Sequence, residues 1–253
     1  MNPNPLIAAS SNRVLELTLN RPDKRNALDS ATVDRLHEEL DRADLDASVS
    51  VVALRGAGRD FCAGADLAEL RASLDDTSAA HEADAMRLGE VFIKIRRLPK
   101  PVVAVVQGRA LAGGCGLATA SDMVVAHADA TLGYPEVQRG FVPAMVMAML
   151  RRTVGEKVAF DLVATGRLLN AEEARAVGLV SRVFSAESFE ADVTSLLSRL
   201  AGSSGSALAL IKQQLYAIDG RSFEDAIALG AKVNAVARST PDFREAVEQF
   251  LNR

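Results

Sequence analysis

Two stretches of small residues sit where an apolar run hands over to a helix-compatible segment. Phe61-Cys62-Ala63-Gly64-Ala65-Asp66-Leu67 follows the apolar run of residues 49–55, and Ala110-Leu111-Ala112-Gly113-Gly114-Cys115-Gly116 follows that of residues 102–106. The first amides of a helix lack an intrahelical acceptor and carry the positive end of its dipole. Two such amides aimed at one point make an oxyanion hole, which stabilises negative charge developing on a carbonyl oxygen. Taken singly, each turn also reads as a packing device, since strand–glycine–helix turns recur throughout α/β proteins. Glu136, in Gly133-Tyr134-Pro135-Glu136-Val137, is the side chain best placed to act as an acid or base. It lies between short apolar residues and Pro135 fixes its approach, although a glutamate of no known context is most often a solvated surface charge.

Strands and helices must aim these groups. Residues 14–19 alternate partly and stop at Asn20-Arg21-Pro22, which predicts a strand and a turn. Asp29 or Ser30 can cap a helix with the apolar face Val33, Leu36, Leu40 and Ala43. Residues 49–55 predict a second strand and residues 102–106 a third. Between them a charged helix is expected over residues 82–98, with Met86, Val91, Phe92 and Ile95 as its buried stripe and Pro99 and Pro101 ending it. Residues 123–126 predict a short strand after the helix that begins near Gly113. Asn170 and Glu173 have the spacing of a capping box for a helix over residues 171–177, with Gly178 just past its end. A last short strand is expected at residues 180–184. Residues 186–253 read as helical, punctuated by Gly202, Gly205, Gly220 and Pro241. Alternating strands and helices predict α/β layers; periodicity alone leaves a spiral and a doubly wound sheet both open.

The 253 residues are 49% hydrophobic but only 4% aromatic, with no tryptophan, so the core must be aliphatic. The balance of 29 basic against 33 acidic residues gives a net charge of −4 with no basic tract, which argues against nucleic acid as a partner. No apolar run approaches the roughly 18 residues of a membrane span. Residues 1–5 lack the basic-then-apolar pattern of a signal peptide. The two cysteines, Cys62 and Cys115, lie inside the two turns and read as reduced small side chains. There is no His/Cys cluster at metal-ligand spacing and no Gly-x-x-x-x-Gly-Lys phosphate loop. A cytoplasmic protein without metal, membrane or nucleic-acid partner is expected.

The pair of turns resembles the two oxyanion-hole segments of the crotonase (enoyl-CoA hydratase/isomerase) superfamily. The likeness continues in Leu19-Asn20-Arg21-Pro22-Asp23-Lys24-Arg25-Asn26-Ala27-Leu28, in Pro135-Glu136, and in Ala171-Glu172-Glu173-Ala174 before Gly178-Leu179-Val180. It implies a crotonase-like spiral of ββα units over residues 1–200 that carries an acyl-CoA site. Residues 201–253 would then be a C-terminal helical region serving as lid and oligomer contact, in a homotrimer or a dimer of trimers. The substrate implied is an acyl-CoA thioester, with coenzyme A part of the substrate and no separate cofactor.

By the same resemblance the amides of Ala65 and Gly113 hold the thioester oxygen and Glu136 is the catalytic carboxyl. Placed among Leu111, Val142, Pro143 and Met145, that carboxyl is expected to be partly desolvated, with a raised pKa. Lys24, Arg25, Ala27 and Leu28 fall where relatives hold pantetheine and phosphate. Ala63, Asp66, Leu67, Gly114, Gly116 and Pro135 complete the substrate-binding set, and Asp66 is also expected to cap the helix after the first turn. Phe250 and Arg253 match residues that often reach coenzyme A, sometimes from a neighbouring subunit.

One departure bears on the reaction. Hydratases of the superfamily carry a second glutamate two residues after the Gly-Gly pair, and here that place is Gly116. Adding water benefits from two carboxylates, whereas moving a double bond needs one base that carries a proton between two carbons. Double-bond isomerisation is therefore the favoured reading, one-carboxylate hydration the alternative, and a non-catalytic acyl-CoA binder an alternative of another class. Other residues weighed as substitutes are His37, His81, His127, Asp122 (expected to cap or pair locally), Glu90 and the hydroxyl of Tyr134. Met145, Met147 and Met149 read first as core, though flexible methionines also suit an aliphatic acyl pocket.

Overall fold

In the computed structural model, which describes residues 4–252, the chain opens with an antiparallel hairpin of β1 (Leu6–Ser11) and β2 (Val14–Leu19). Asn12 and Arg13 turn it with φ of 49° and 66°, the backbone a two-residue hairpin requires. A short 3-10 turn (Pro22–Lys24) leads to α1 (Ser30–Leu45), where Asp29 caps by accepting from the Thr32 amide at 2.8 Å. Then come β3 (Val51–Gly56), α2 (Leu67–Ala72), α3 (Ser78–Arg97), β4 (Val102–Val106), β5 (Arg109–Leu111) and α4 (Gly113–Ala120). β6 (Met123–His127) and β7 (Thr131–Gly133) precede a 3-10 segment (Pro135–Arg139), α5 (Ala144–Val154) and α6 (Glu156–Thr165). β8 (Leu168–Asn170), α7 (Ala171–Ala176) and β9 (Arg182–Phe184) follow. The chain closes with α8 (Phe189–Ala201), α9 (Gly205–Ala217), α10 (Phe223–Arg238) and α11 (Pro241–Leu251).

β1-β2-β3-β4-β6-β9 form one sheet, parallel from β2 onward. Its central strands are buried on both faces, which is why β4 reads Val-Val-Ala-Val-Val without a polar break. Val102, Ala104 and Val106 face the main core, while Val103 and Val105 pack with Phe189, Val193, Leu196 and Leu197 of α8. β5-β7-β8 form a second, smaller sheet. Each long strand from β2 to β6 therefore runs into a short extended segment and then a helix or helical turn, giving ββα turns wound into a spiral.

Several expectations need correction. The helix placed at 82–98 begins at Ser78, capped by Thr77, and Met86 of its predicted stripe is 46% exposed. Val91, Phe92 and Ile95, with Gly89, make its buried face. Strands β1, β5, β7 and β8 were not anticipated by periodicity. Asp122 does not act locally: it accepts from the Val102 amide (2.7 Å) and the Tyr216 hydroxyl (2.8 Å) and pairs with Lys212 (2.7 Å). Those contacts tie α9 to the spiral. Among the described residues no helix is long and apolar enough to cross a membrane.

Candidate active site

Four short segments stand side by side, all running the same way. Leu28 bridges Ala65, Cys62 bridges Ala110, and β5 pairs with β7 with Leu111 opposite Gly133. Each segment follows a long strand of the large sheet, so their C-terminal ends gather in one place. The first turn, the second turn and the Glu136 segment all leave from those ends. Open α/β sheets commonly bind ligands at such strand ends.

Asn26 fixes the frame. Its side chain is 1% exposed, accepts from the Arg21 amide (3.0 Å) and donates to the carbonyls of Ala57 (2.9 Å) and Asp60 (2.7 Å). Arg21 donates to the Ala27 carbonyl (2.6 Å) and pairs with Asp66 (2.7 Å) and Asp29 (3.2 Å). Asp66 caps α2 by accepting from the Ala68 amide (2.8 Å), as expected, and the Arg21 guanidinium holds its carboxyl below the usual range. Arg21 and Asn26 lie in the motif noted in the sequence, but nothing in it assigned them this bracing role; buried polar side chains that bond backbone carbonyls leave no periodic signal.

The two turns abut. A side-chain carbon on Gly64 would lie 2.8 Å from the Ala112 Cβ, 3.1 Å from the Leu111 carbonyl oxygen and 3.4 Å from the Gly113 nitrogen. Only glycine permits that approach, and its φ of +97° adds a second requirement. Next door, a carbon on Gly114 would lie 2.4 Å from the Cys62 carbonyl, so α4 leans directly on the first turn. The backbone groups on either side of the Ala65 amide are used: the Gly64 carbonyl accepts from the Leu28 amide (2.8 Å) and the Asp66 amide donates to the Leu28 carbonyl (2.9 Å). Among the described residues nothing accepts from the amides of Ala65 or Gly113, and α4 starts without a side-chain cap. Two donors are thus left free where the helix dipole is positive. Leu28 and Leu88 flank Gly113 with apolar atoms.

Glu136 lies in the 3-10 segment that Pro135 starts, two residues beyond the fully buried Tyr134. The carboxyl is half-buried, and its Oε2 is buried with no hydrogen-bond partner among the described residues. Desolvation raises its pKa above the ordinary glutamate value, opposed only by its own backbone amide. A buried, unpartnered carboxyl oxygen costs free energy that no structural role here repays. Such groups mark sites of chemistry. Cys62 and Cys115 are free and fully buried; burial pushes both thiols up to about 12, which leaves them inert.

A family model for Enoyl-CoA hydratase/isomerase matches residues 9–253. The chain belongs to the enoyl-CoA hydratase/isomerase family. A putative enoyl-CoA hydratase of Thermus thermophilus is 38% identical, covering 98% of each chain, and the 2,3-dehydroadipyl-CoA hydratase of Escherichia coli is 35% identical, covering 98% of this chain and 96% of its own. The crystal structure of a Mycobacterium smegmatis enoyl-CoA hydratase superposes with a TM-score of 0.93 at 32% identity, covering 98% and 96%. The crotonase-like spiral with its C-terminal helical region is thereby the fold of this enoyl-CoA hydratase/isomerase family member.

Within that fold, Ala63, Ala65, Asp66, Gly113 and Gly114 come together, with Ala27 and Leu28 in the adjoining segment, and Pro135 and Glu136 follow Gly133, which lies opposite Leu111 of the second turn. Lys24 and Arg25 are exposed at the turn leading into that segment, and Leu67 is 64% exposed. Phe250 is not brought to the site: it is 77% exposed on α11, which packs on α10. Arg253 lies outside the described residues. Glu90 is exposed and lines a groove with Asp34 and His37 between α1 and α3. His37 bonds the Arg87 carbonyl, His127 meets the Phe189 ring edge-on, and His81 is exposed, so none of the three joins Glu136. Tyr134 offers its hydroxyl to Thr119 rather than to a substrate (2.5 Å). Met149 is core as expected, Met145 packs on the core, and Met147 is 39% exposed.

Gly116 is buried, and the space beside it is taken. A side-chain carbon there would lie 2.7 Å from Val146 Cγ1 and 2.9 Å from Phe92 Cζ. The position at which two-carboxylate hydratases carry their second glutamate is closed by hydrocarbon.

Proposed function

We propose that this family member moves the double bond of an enoyl-CoA with Glu136 as its single proton carrier. The Glu136 carboxylate takes a proton from C2 of a 3-enoyl thioester. The electron pair passes into the thioester, and the Ala65 and Gly113 amides donate to the oxygen that becomes negative. Returning the same proton from Glu136 to C4 leaves the double bond between C2 and C3. Two fixed donors each supply about 3–4 kcal/mol to such an oxyanion. Lys24 and Arg25 would meet the phosphates of coenzyme A, which arrives as part of the substrate; no further cofactor enters the reaction.

The observation that carries this reading is the hydrocarbon wall of Val146 and Phe92 at Gly116, beside one desolvated, unpartnered carboxyl. One-carboxylate hydration is the second reading, favoured by the relatives' names as hydratases. The test supplies 3-enoyl-CoA and 2-enoyl-CoA separately. Conversion of the first without water addition to the second is expected, and Glu136→Gln should lower it by about 10²–10⁴-fold. Brisk hydration of the 2-enoyl thioester overturns the isomerase reading, and activity that survives Glu136→Gln overturns the site.

We also infer a homotrimer or a dimer of trimers. The exposed apolar side chains of α9, α10 and α11, among them Ile211, Phe223, Ile227, Phe243 and Phe250, support it. Phe250 would reach coenzyme A only across such an interface. Sedimentation should give three or six times the 26.8 kDa of one chain.

A further inference from the structure

We propose that Tyr134 is a positioning residue whose bond to Thr119 sets the spacing between the Gly113 amide and the Glu136 carboxyl. The inference rests on the reading of those two groups as oxyanion donor and proton carrier.

Tyr134 is 0% exposed, and its hydroxyl lies 2.5 Å from Thr119 Oγ1. Thr119 in turn donates to the Cys115 carbonyl at 2.8 Å. A hydroxyl has one proton. With the Thr119 proton on that carbonyl, the Tyr134 O–H must donate to Thr119, so the chain runs from Tyr134 to Thr119 to the backbone of α4. Phenylalanine would fill the same space with no polar atom to satisfy. The hydroxyl is therefore there for the link and not for the packing. Nor is the cluster a second acid: burial lifts the Tyr134 pKa well above its usual value and that of the adjacent Cys115 thiol to about 12.

The second turn and the segment bearing Glu136 are already joined before α4 by the β5–β7 pairing, which ends with Leu111 opposite Gly133, and by the Ala112 amide donating to the Gly133 carbonyl at 2.9 Å. Those ties end one residue before Gly113. The Tyr134–Thr119 bond comes seven residues beyond Ala112, in the last turn of α4, and two residues before Glu136, so it holds the two elements together past the point where the ladder stops. Proton transfer between donor-held substrate and carboxyl is sensitive to displacements of about 1 Å, which can cost 10²-fold.

The experiment follows conversion of trans-3-hexenoyl-CoA to the 2-enoyl thioester, with kcat, KM and Tm for wild type, Glu136→Gln, Tyr134→Phe, Thr119→Val, the Tyr134→Phe/Thr119→Val double variant and Thr119→Ser. Tyr134→Phe and Thr119→Val should each lower kcat about tenfold at nearly unchanged KM, with a lower Tm in Thr119→Val, which strands the buried Tyr134 hydroxyl. The double variant should fall no further, because both changes cut one bond, and Thr119→Ser, which keeps the hydroxyl, should match wild type. Unchanged kcat in Tyr134→Phe and Thr119→Val while Glu136→Gln is inactive overturns the positioning role alone. Losses that multiply in the double variant, or that appear only as lowered Tm, also overturn it. Conversion that persists in Glu136→Gln, or is absent from wild type, overturns the reading of the site and the inference with it. Should Tyr134→Phe fail to fold, the Thr119→Val and Thr119→Ser pair decides.

Discussion

Glu136 pays for its place with instability, and the sign of that cost is testable. Its carboxyl is half-buried, Oε2 has no partner, and desolvation puts the folded-state pKa above the ordinary value of 4.5. The base must be ionised to take a proton, so kcat/KM should rise with pH through that raised pKa and then level off. Stability runs the other way. Between the unfolded and folded pKa values the native state holds a proton that the unfolded chain has released, so stability falls as pH rises through that window. Above the folded pKa the burdened charge remains. Glu136→Gln, neutral at every pH, should therefore melt higher than wild type near pH 8, and the gap should close towards pH 4. A variant that melts lower at pH 8 would mean the carboxylate is held by a contact and is not poised for proton transfer.

At the scale of elements, the two turns meet because helix α4 can lean on its neighbours at three glycines. Gly113 leaves the amide open, Gly114 lets Cys62 approach, and Gly116 admits Val146 and Phe92. Gly116→Ala should cost about 1–3 kcal/mol by overpacking, read as a lowered urea midpoint, because valine has little rotamer freedom to retreat. Trimming the wall with Val146→Ala should recover much of that loss; no recovery would place the strain elsewhere. These elements were unevenly legible. The turns, the Asp29, Asp66 and Asn170 caps and the central strands carry local signatures, and the structure places each where the sequence puts it. β5, β7 and β8 have three residues each, too few to display a period. β1 buries only Leu6 and so shows no alternation. The spiral itself came from resemblance, since the repeated unit is a strand-to-segment geometry that different sequences satisfy. Asp122 was misread because its partners, Tyr216 and Lys212, are set by tertiary packing, and for the same reason the Thr119 partner of Tyr134 left no mark in the sequence.

On the scale of the whole molecule, the C-terminal helices hang on a polar anchor. α10 and α11 bury no residue, and on α9 only Lys212 is buried. Its ammonium donates to the carbonyls of Ile95 (2.7 Å) and Lys100 (3.0 Å) and pairs with Asp122 (2.7 Å), while Tyr216 bonds the other oxygen of Asp122 beneath the Arg96 guanidinium. All three protons of the ammonium thus have partners, the condition under which a buried charge is tolerated. Removing it strands two carbonyls and weakens the hold on Asp122. Lys212→Met, which keeps the length of the side chain, should lower stability by about 3–5 kcal/mol. Tyr216→Phe, which deletes one hydrogen bond to a charged group, should cost about 1.5–3 kcal/mol. The losses should not be uniform along the chain. Hydrogen exchange of α9, α10 and α11 should accelerate in Lys212→Met while β3 and β4 stay protected, because those strands are held by their own buried aliphatic core. Equal acceleration in the strands would mean that the helices and the spiral unfold as one unit, and that the anchor stabilises the whole fold and not the seating of its last three helices.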